Sequence, residues 1–118
     1  MQVKEIMQAL SLTPCSGHQG LDREITGGYV SDLLSDVMGH AREGEAWITL
    51  QAHKNIMAIA SLKELAAIIL VKGRRPDEDT ASASDSEGIP ILSTPLDAFE
   101  TSGKLYQLLA SPSGESLP

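Results

Sequence analysis

The chain has 118 residues and a formal net charge of −7, from nine lysines and arginines against sixteen aspartates and glutamates. This length suits one domain with one core. The acidic balance argues against nucleic-acid binding, which needs a cationic face against phosphates. The longest apolar run, 65–71, is too short to cross a bilayer, and the single cysteine, Cys15, excludes an internal disulfide. We therefore expect a cytoplasmic protein with no membrane partner.

The first quarter of the chain predicts one short helix and two short strands. Apolar residues recur at helical spacing in 2–10, which indicates a helix. Residues 11–16 have the character of a strand, and Pro14 places that strand at a sheet edge. Residues 21–25 form a weaker strand. Joined by the loop 17–20, the two strands are expected to pair in antiparallel fashion.

The next stretch predicts a helix that follows a double glycine. Apolar residues recur on one helical face at Val30, Leu33, Leu34, Val37, Met38 and Ala41. We expect this helix to run to about residue 42, with its striped face buried on the sheet. Gly27-Gly28 then allows a sharp strand-to-helix turn. The alternative is that the two backbone amides hold a phosphate or carboxylate at the helix N-terminus.

Strands and helices alternate through the rest of the chain. The predicted elements are a strand at 46–50, a helix at 55–65, a strand at 67–71, an outer helix at 76–87, an edge strand at 89–92 and a last helix from Thr94. This alternation predicts an α/β fold with three layers, α/β/α, around a mainly parallel sheet of about five strands. We assign 1–110 to one domain. The Ser-, Pro- and Gly-rich segment 111–118 is expected to be a disordered tail.

Polar and basic residues follow the predicted strands, at the end of the sheet where α/β proteins bind ligands. We expect a small anion to bind there. The predicted anion site consists of Thr26, Gly27, Gly28, His53, Lys72 and Arg74. The alternative is that His53 is a solvated loop residue and that 72–75 is a solvated run of charge.

Other polar pairs do not complete a reactive or metal-binding set. Cys15 and His18 could supply half of a metal site, but zinc needs about four ligands. Asp32 and Asp36 share one helical face and could act as paired acids, although a solvated face explains them equally. We therefore expect no catalytic residue, no metal and no cofactor.

The segment TGGYVSDLLSDVM at 26–38 resembles the motif of the DRTGG domain family. The runs WITLQ at 47–51, ILVKG at 69–73 and GIPIL at 88–92 are also similar to that family, so the resemblance covers about 1–110. Thr26 and Gly27-Gly28 match the end of the motif. The charged part departs from it, because Glu24 and Ile25 separate Asp22-Arg23 from Thr26.

The resemblance implies both a fold and a function. The fold is expected to be like the N-terminal domain of HPr kinase/phosphorylase. Related domains occur in some phosphotransacetylases and in nucleotide-regulated pyrophosphatases, beside CBS domains, as accessory or regulatory modules. Stand-alone copies occur in anaerobic bacteria, sometimes encoded beside redox enzymes. The kinase activity does not transfer, because the sequence has no G-x-x-x-x-G-K-[ST] phosphate loop.

We therefore expect a non-catalytic regulatory or scaffolding domain that works through protein–protein contacts and senses a small anion or nucleotide. Aromatic residues make up only 3 % of the chain, so we expect a modest core and a homodimer that buries more surface. The resemblance adds a partner enzyme of energy or redox metabolism. The alternative is a small enzyme or phosphate-handling protein that uses the strand-end loops.

Overall fold

The computed structural model describes residues 1–110, which form one five-stranded sheet with helices on both faces. The strands are β1 (Thr13–Ser16), β2 (Gly27–Val30), β3 (Glu45–Thr49), β4 (Ala67–Leu70) and β5 (Ile91–Ser93). The helices are α1 (Val3–Ala9), α2 (Leu34–His40), α3 (Asn55–Leu62), α4 (Glu78–Glu87) and α5 (Ala98–Ala110), with a 3-10 turn at His18–Gly20. The predicted tail, 111–118, lies outside the described residues.

The sheet is mixed, with strand order β1-β5-β4-β3-β2. Strands β2, β3, β4 and β5 run parallel, and β1 runs antiparallel to β5 at one edge. In register, Trp47 stands beside Ile68, and Ile68 stands beside Ile91. The predicted α/β class and the mainly parallel sheet of five strands are confirmed.

Side chains that alternate along the central strands build two cores, one on each face of the sheet. Trp47, Ile68 and Leu70 pack with residues of α2, α3 and α4. Ala46 and Ile69 are members of the opposite core, together with residues of α1 and α5. Because both faces of β3 and β4 are covered, β4 and the middle of β3, residues 46–48, are apolar, as parallel strands usually are. The three-layer prediction is confirmed.

The predicted antiparallel pairing of 11–16 with 21–25 is wrong. Residues 21–25 form no strand and contribute one isolated bridge, between Gln2 and Glu24. The backbone groups of this segment bond to the start of the chain, since the Val3 N–H donates to the Arg23 carbonyl and the Ile25 N–H donates to the Met1 carbonyl. Strand β1 is therefore free to pair with β5 instead.

The predicted turn at Gly27-Gly28 is also wrong. Both glycines lie inside β2, and neither has a positive φ. Helix α2 begins only at Leu34, because the chain first completes its pairing with β3 and then turns at 31–33, where the Leu33 N–H donates to the Ser31 hydroxyl over 3.1 Å.

The predicted apolar stripe is buried only in part. Val37 is fully buried and Ala41 is 3 % exposed, whereas Val30, Leu33 and Met38 are exposed by 48 %, 65 % and 44 %. Val30 belongs to a strand, so the helical periodicity that linked it to α2 has no structural meaning. The short helix covers the sheet with one narrow side.

Two later boundaries differ from the prediction. Strand β5 lies between β4 and β1 and not at an edge of the sheet. Pro90 does not prevent this, because it precedes the strand and contributes only its carbonyl, which accepts from the Ile68 N–H. Helix α5 begins at Ala98 rather than near Thr94. Its first turn is capped by Asp97, whose carboxylate accepts from the Glu100 N–H over 2.9 Å.

Candidate functional site

Loops at the carboxyl ends of β3 and β4 carry the basic part of the predicted anion site. The loop after β4 is fastened to the loop after β5, since the Lys72 N–H donates to the Leu96 carbonyl and the Gly73 N–H donates to the Thr94 carbonyl, both over 2.8 Å. Lys72 has a φ of 57° and Gly73 a φ of 69°. This left-handed turn fixes the backbone, while the side chains of Lys72 and Arg74 lie exposed.

Lys72 borders a cavity of about 340 Å³ between the carboxyl ends of the strands and the start of α5. Asp32 and Asp97 also line this cavity, together with apolar atoms of Leu50 and Phe99. Two carboxylates and one ammonium group give the cavity a mixed charge. A phosphate in it would meet repulsion as well as attraction, so the more exposed cations of the same loops suit an anion better.

Asp32 has a structural role at this end of the sheet. One of its carboxylate oxygens accepts from the Thr49 hydroxyl and from the Leu50 N–H, each over 2.8 Å. Its carbonyl accepts from the Gln51 amide over 3.0 Å. The Trp47 indole N–H donates to the Ser31 carbonyl over 2.8 Å, which holds the same loop. These bonds fix the β2–α2 connection against β3.

Asp36, the other member of the suggested acid pair, belongs to a separate cluster. Its carboxylate accepts from the Tyr29 hydroxyl over 2.9 Å and lies 3.2 Å from Nδ1 of His40. Hydrogen bonds from the Ser31 and Tyr29 hydroxyls lower the pKa of Asp36. Because Asp32 and Asp36 serve different partners, they do not form one acid–base site.

His53 lies on the loop after β3, where its Nδ1 is 3.8 Å from a carboxylate oxygen of Asp77. Asp77 caps α4, since it accepts from the Thr80 N–H over 2.9 Å and from the Thr80 hydroxyl over 2.6 Å. These two hydrogen bonds, with the nearby charges of His53 and Lys54, lower the pKa of Asp77. The Asp77 carboxylate thus already supplies the negative charge at the N-terminus of α4, and the His53 side chain remains largely exposed.

Cys15 and His18 do not form a metal site with neighbours. The Cys15 thiol lies 3.8 Å from a guanidinium nitrogen of Arg75, and burial raises the pKa of the thiol despite that charge. His18 is exposed at the start of the 3-10 turn. Within 1–110, no group of three or more His, Cys, Asp and Glu side chains is arranged to hold a metal ion.

Thr26, Gly27 and Gly28 lie at the opposite end of the sheet from the basic loops. Gly27 is the first residue of β2 and stands in register with Glu45, the first residue of the parallel strand β3. The residues that follow these strands form the carboxyl end. The expectation that all six residues of the predicted anion site converge is therefore wrong, because the glycines begin a strand instead of preceding a helix.

Thr26 fastens the start of β2 to the turn before β3. Its N–H donates to the Gly44 carbonyl over 2.9 Å, and its hydroxyl donates to the Glu43 carbonyl over 3.0 Å. Gly44 has a φ of 82°, and a Cβ there would lie 2.7 Å from the Thr26 hydroxyl oxygen. A Cβ on Gly28 would lie 3.1 Å from the Leu105 side chain. The threonine and the second glycine thus serve close packing.

These motif residues also line a cleft that the sequence reasoning missed. This β2–α5 cleft has a volume of about 760 Å³ and lies between the edge strand and the last helix. Phe99 and Tyr106, on α5, line it and are 86 % and 72 % exposed. Their spacing of seven residues was a usable signal, because it puts two aromatic rings on one helical face.

Arg23 bonds to the end of α4. Its Nε donates to the Gly88 carbonyl over 2.9 Å, where Gly88 closes the helix with a φ of 66°. Arg23 also borders an acidic cavity of about 460 Å³ that includes Glu43 and Glu64. The hydrogen bond and negative charge of Glu64 raise the pKa of Glu43. The arginine therefore serves helix capping at the amino end of the sheet.

The family model described as the DRTGG domain matches residues 5–108. The chain belongs to the DRTGG domain family. A solved structure of the CBS and DRTGG domains of the regulatory region of Clostridium perfringens pyrophosphatase, complexed with the activator diadenosine tetraphosphate, has a similar fold. The TM-score is 0.69 at 18 % identity, over 90 % of this chain.

This DRTGG domain spans less than half of that regulatory region, 46 % of its length. No protein of curated function matches the sequence. Among the described residues, no helix is both long and apolar enough to cross a membrane.

Proposed function

We propose that this DRTGG domain is a non-catalytic regulatory module that senses a small anion or nucleotide at the carboxyl end of its sheet. One observation carries the proposal: His53, Lys72 and Arg74 are exposed on two loops at that end, in a chain whose net charge is −7. The solved regulatory region supports it, because that protein contains a DRTGG domain and was crystallised with a nucleotide activator.

The energetics favour weak and salt-dependent binding. A hydrogen bond to a charged group contributes about 1.5–3 kcal/mol. Two or three such bonds, after the cost of association, correspond to an affinity in the micromolar to millimolar range. The negative field of the whole protein lowers the local concentration of anions, and added salt screens the contacts. Salt screens both the local attraction and the overall repulsion, so the affinity should change with ionic strength.

The test is calorimetric titration with phosphate, AMP, ATP, acetyl phosphate and diadenosine tetraphosphate. We expect at least one of them to bind the wild type and to bind Lys72→Ala/Arg74→Ala about tenfold or more weakly. The matched control is Lys4→Ala/Lys104→Ala, which removes the same charge from α1 and α5 and should bind as the wild type does. If both double variants bound the ligand equally weakly, the loss of affinity would come from net charge and not from a site formed by Lys72 and Arg74. No binding by the wild type would refute ligand sensing.

The predicted ligand roles of Thr26, Gly27 and Gly28 form a separate proposal. A ligand touching them would lie at the amino end of β2, in the β2–α5 cleft, whereas Lys72 borders the adjoining cavity at the carboxyl end. Thr26→Ala should then change binding independently of the basic loops.

The alternative function is a small enzyme or phosphate-handling protein. The cavity that joins Asp32, Lys72 and Asp97 favours it, because it places carboxylates and an ammonium group together at the strand ends. Phosphate release from ATP or acetyl phosphate, lost in Lys72→Ala, would support this alternative over a binding module.

The remaining expectations also belong to the proposal. We infer contacts with a partner enzyme of energy or redox metabolism, a cytoplasmic location, a likeness to the N-terminal domain of HPr kinase/phosphorylase, and a homodimer. The regulatory region of the pyrophosphatase supports the partner-enzyme idea by analogy of domain type.

A further inference from the structure

We infer that the β2–α5 cleft is the surface through which this DRTGG domain pairs with a second copy of itself, strand β2 against strand β2. The inference rests on the protein-contact part of the proposed function. It adds the surface, the symmetry and the elements that meet.

The two edges of the sheet differ in how open they are. Edge strand β1 contains Pro14, and its register shifts between Pro14 and Ser16, two features that block pairing with another strand. Edge strand β2, with the sequence Gly-Gly-Tyr-Val, contains neither a proline nor a charge. Within 1–110 it pairs only with β3, so one side of its backbone has no strand beside it.

The composition of the β2–α5 cleft favours an apolar partner over an anion. Its lining includes Val30, Phe99, Tyr106 and Leu109, and among the described residues the single charged one is Glu45. Two rings that are 86 % and 72 % exposed stand out in a chain with 3 % aromatic residues. An exposed apolar patch beside an open strand is typical of a protein–protein interface.

The position of α5 above the sheet fits a second copy in particular. Helix α5 packs over both β2 and β3, and Leu105 lies against Gly28. Strands lie about 4.8 Å apart, so a twofold axis beside β2 would set the two α5 helices about 10 Å apart. Packed helices lie about 8–10 Å apart, so the second α5 would fill the space beside the first.

The available area is consistent with a stable dimer. At about 150–250 Å² for each aromatic side chain, the exposed parts of the four rings in a dimer amount to roughly 500–800 Å². A specific interface buries about 1,200–2,000 Å² in total, so the rings would supply near half and the strands and Val30 the rest. Because one open edge meets its own copy, the assembly closes at two.

Sedimentation velocity tests the surface. We expect the wild type to be a dimer at about 50 µM, and we expect Phe99→Glu or Tyr106→Glu to raise the dissociation constant about 30-fold or more. The matched control is Leu62→Glu on α3, because Leu62 is 67 % exposed on the other face of the sheet. This variant should sediment as the wild type does. A monomeric wild type, or equal dissociation in the control, would overturn the proposal.

Hydrogen exchange tests the strand pairing. Amides of β2 should exchange more slowly at about 100 µM than at about 1 µM in the wild type, and equally at both concentrations in Phe99→Glu. The amides of β1 are the internal control and should not respond to concentration. A dimer whose β2 amides exchange equally at both concentrations would overturn the pairing. A monomer that still binds a nucleotide would overturn only the interface, whereas a dimer that binds none would overturn only ligand sensing.

Discussion

Replacing Gly44 by alanine tests the close contact between the motif threonine and the turn before β3. Gly44 has a φ of 82°, and the new Cβ would lie 2.7 Å from the Thr26 hydroxyl oxygen and 2.9 Å from its methyl carbon. The left-handed backbone costs a non-glycine residue about 1–2 kcal/mol. Forcing extra volume into a packed contact adds about 1–3 kcal/mol. With about 0.4–1 kcal/mol offset by the reduced freedom of the unfolded chain, we expect Gly44→Ala to lower the free energy of unfolding by about 1–4.5 kcal/mol in total.

Gly73→Ala is the matched control for this substitution. Gly73 has a φ of 69°, but nothing lies within 4 Å of a Cβ at that position. Alanine at this position therefore pays the free-energy cost of a left-handed backbone, but its Cβ meets no neighbouring atom. Both alanines also reduce the conformational entropy of the unfolded chain, which stabilises the folded protein equally in the two variants, by about 0.4–1 kcal/mol. We expect Gly73→Ala to cost about 1 kcal/mol or less, measured by urea denaturation of both variants.

A double variant separates the two contributions. Thr26→Ala loses the hydrogen bond to the Glu43 carbonyl, worth about 0.5–1.5 kcal/mol, and also removes the atoms that the new Cβ would strike. Gly44→Ala/Thr26→Ala should be less destabilised than the sum of its parts by about 1–2 kcal/mol. Equal costs at Gly44 and Gly73, or strict additivity in the double variant, would refute the reasoning.

Two further predictions concern the cap of α4 and the core of the sheet. Folding lowers the pKa of Asp77 below its ordinary value of 3.8. The Asp77 carboxylate therefore stabilises the folded state fully above about pH 4, and this stabilisation is lost as the pH falls through the lower folded-state pKa. Acid titration of unfolding should show that Asp77→Asn, which keeps a cap, differs most from the wild type above about pH 4 and converges with it in stronger acid; a constant difference would contradict this. In the core, Ile56→Ala should cost about 2–5 kcal/mol because Ile56 is fully buried, while Met38→Ala, 44 % exposed, should cost about 0.5 kcal/mol or less. Similar costs in a urea melt would show that α2 packs differently.

The sequence by itself determined the elements from residue 46 onward. Runs such as 67–71 are apolar throughout because both faces of the strand are covered, and that composition is visible without any structure. Local rules also found the alternation of strand and helix, and the motif at 26–38 found the family. The same local rules placed His53, Lys72 and Arg74 after strands, which is where the structure has them.

Strand pairing was decided only by the tertiary structure. Hydrophobic periodicity reports which side of one element is buried, but not which other element covers it. Strand β1 pairs with β5, far along the chain, because residues 21–25 bond to the start of α1 instead. No local sequence feature distinguishes pairing with residues 21–25 from pairing with β5, since β1 is a short strand at the edge of the sheet in both cases.

The roles of Gly27 and Gly28 also depended on the tertiary structure. A double glycine before an apolar stripe suggests a turn, because glycine tolerates positive φ. Here both residues have ordinary strand conformations, and Gly28 is small because Leu105 lies over it. The contact joins residues far apart in sequence, so it is decided by how α5 packs on β2. The same packing leaves Phe99 and Tyr106 beside an open strand, a feature that neither segment reveals alone.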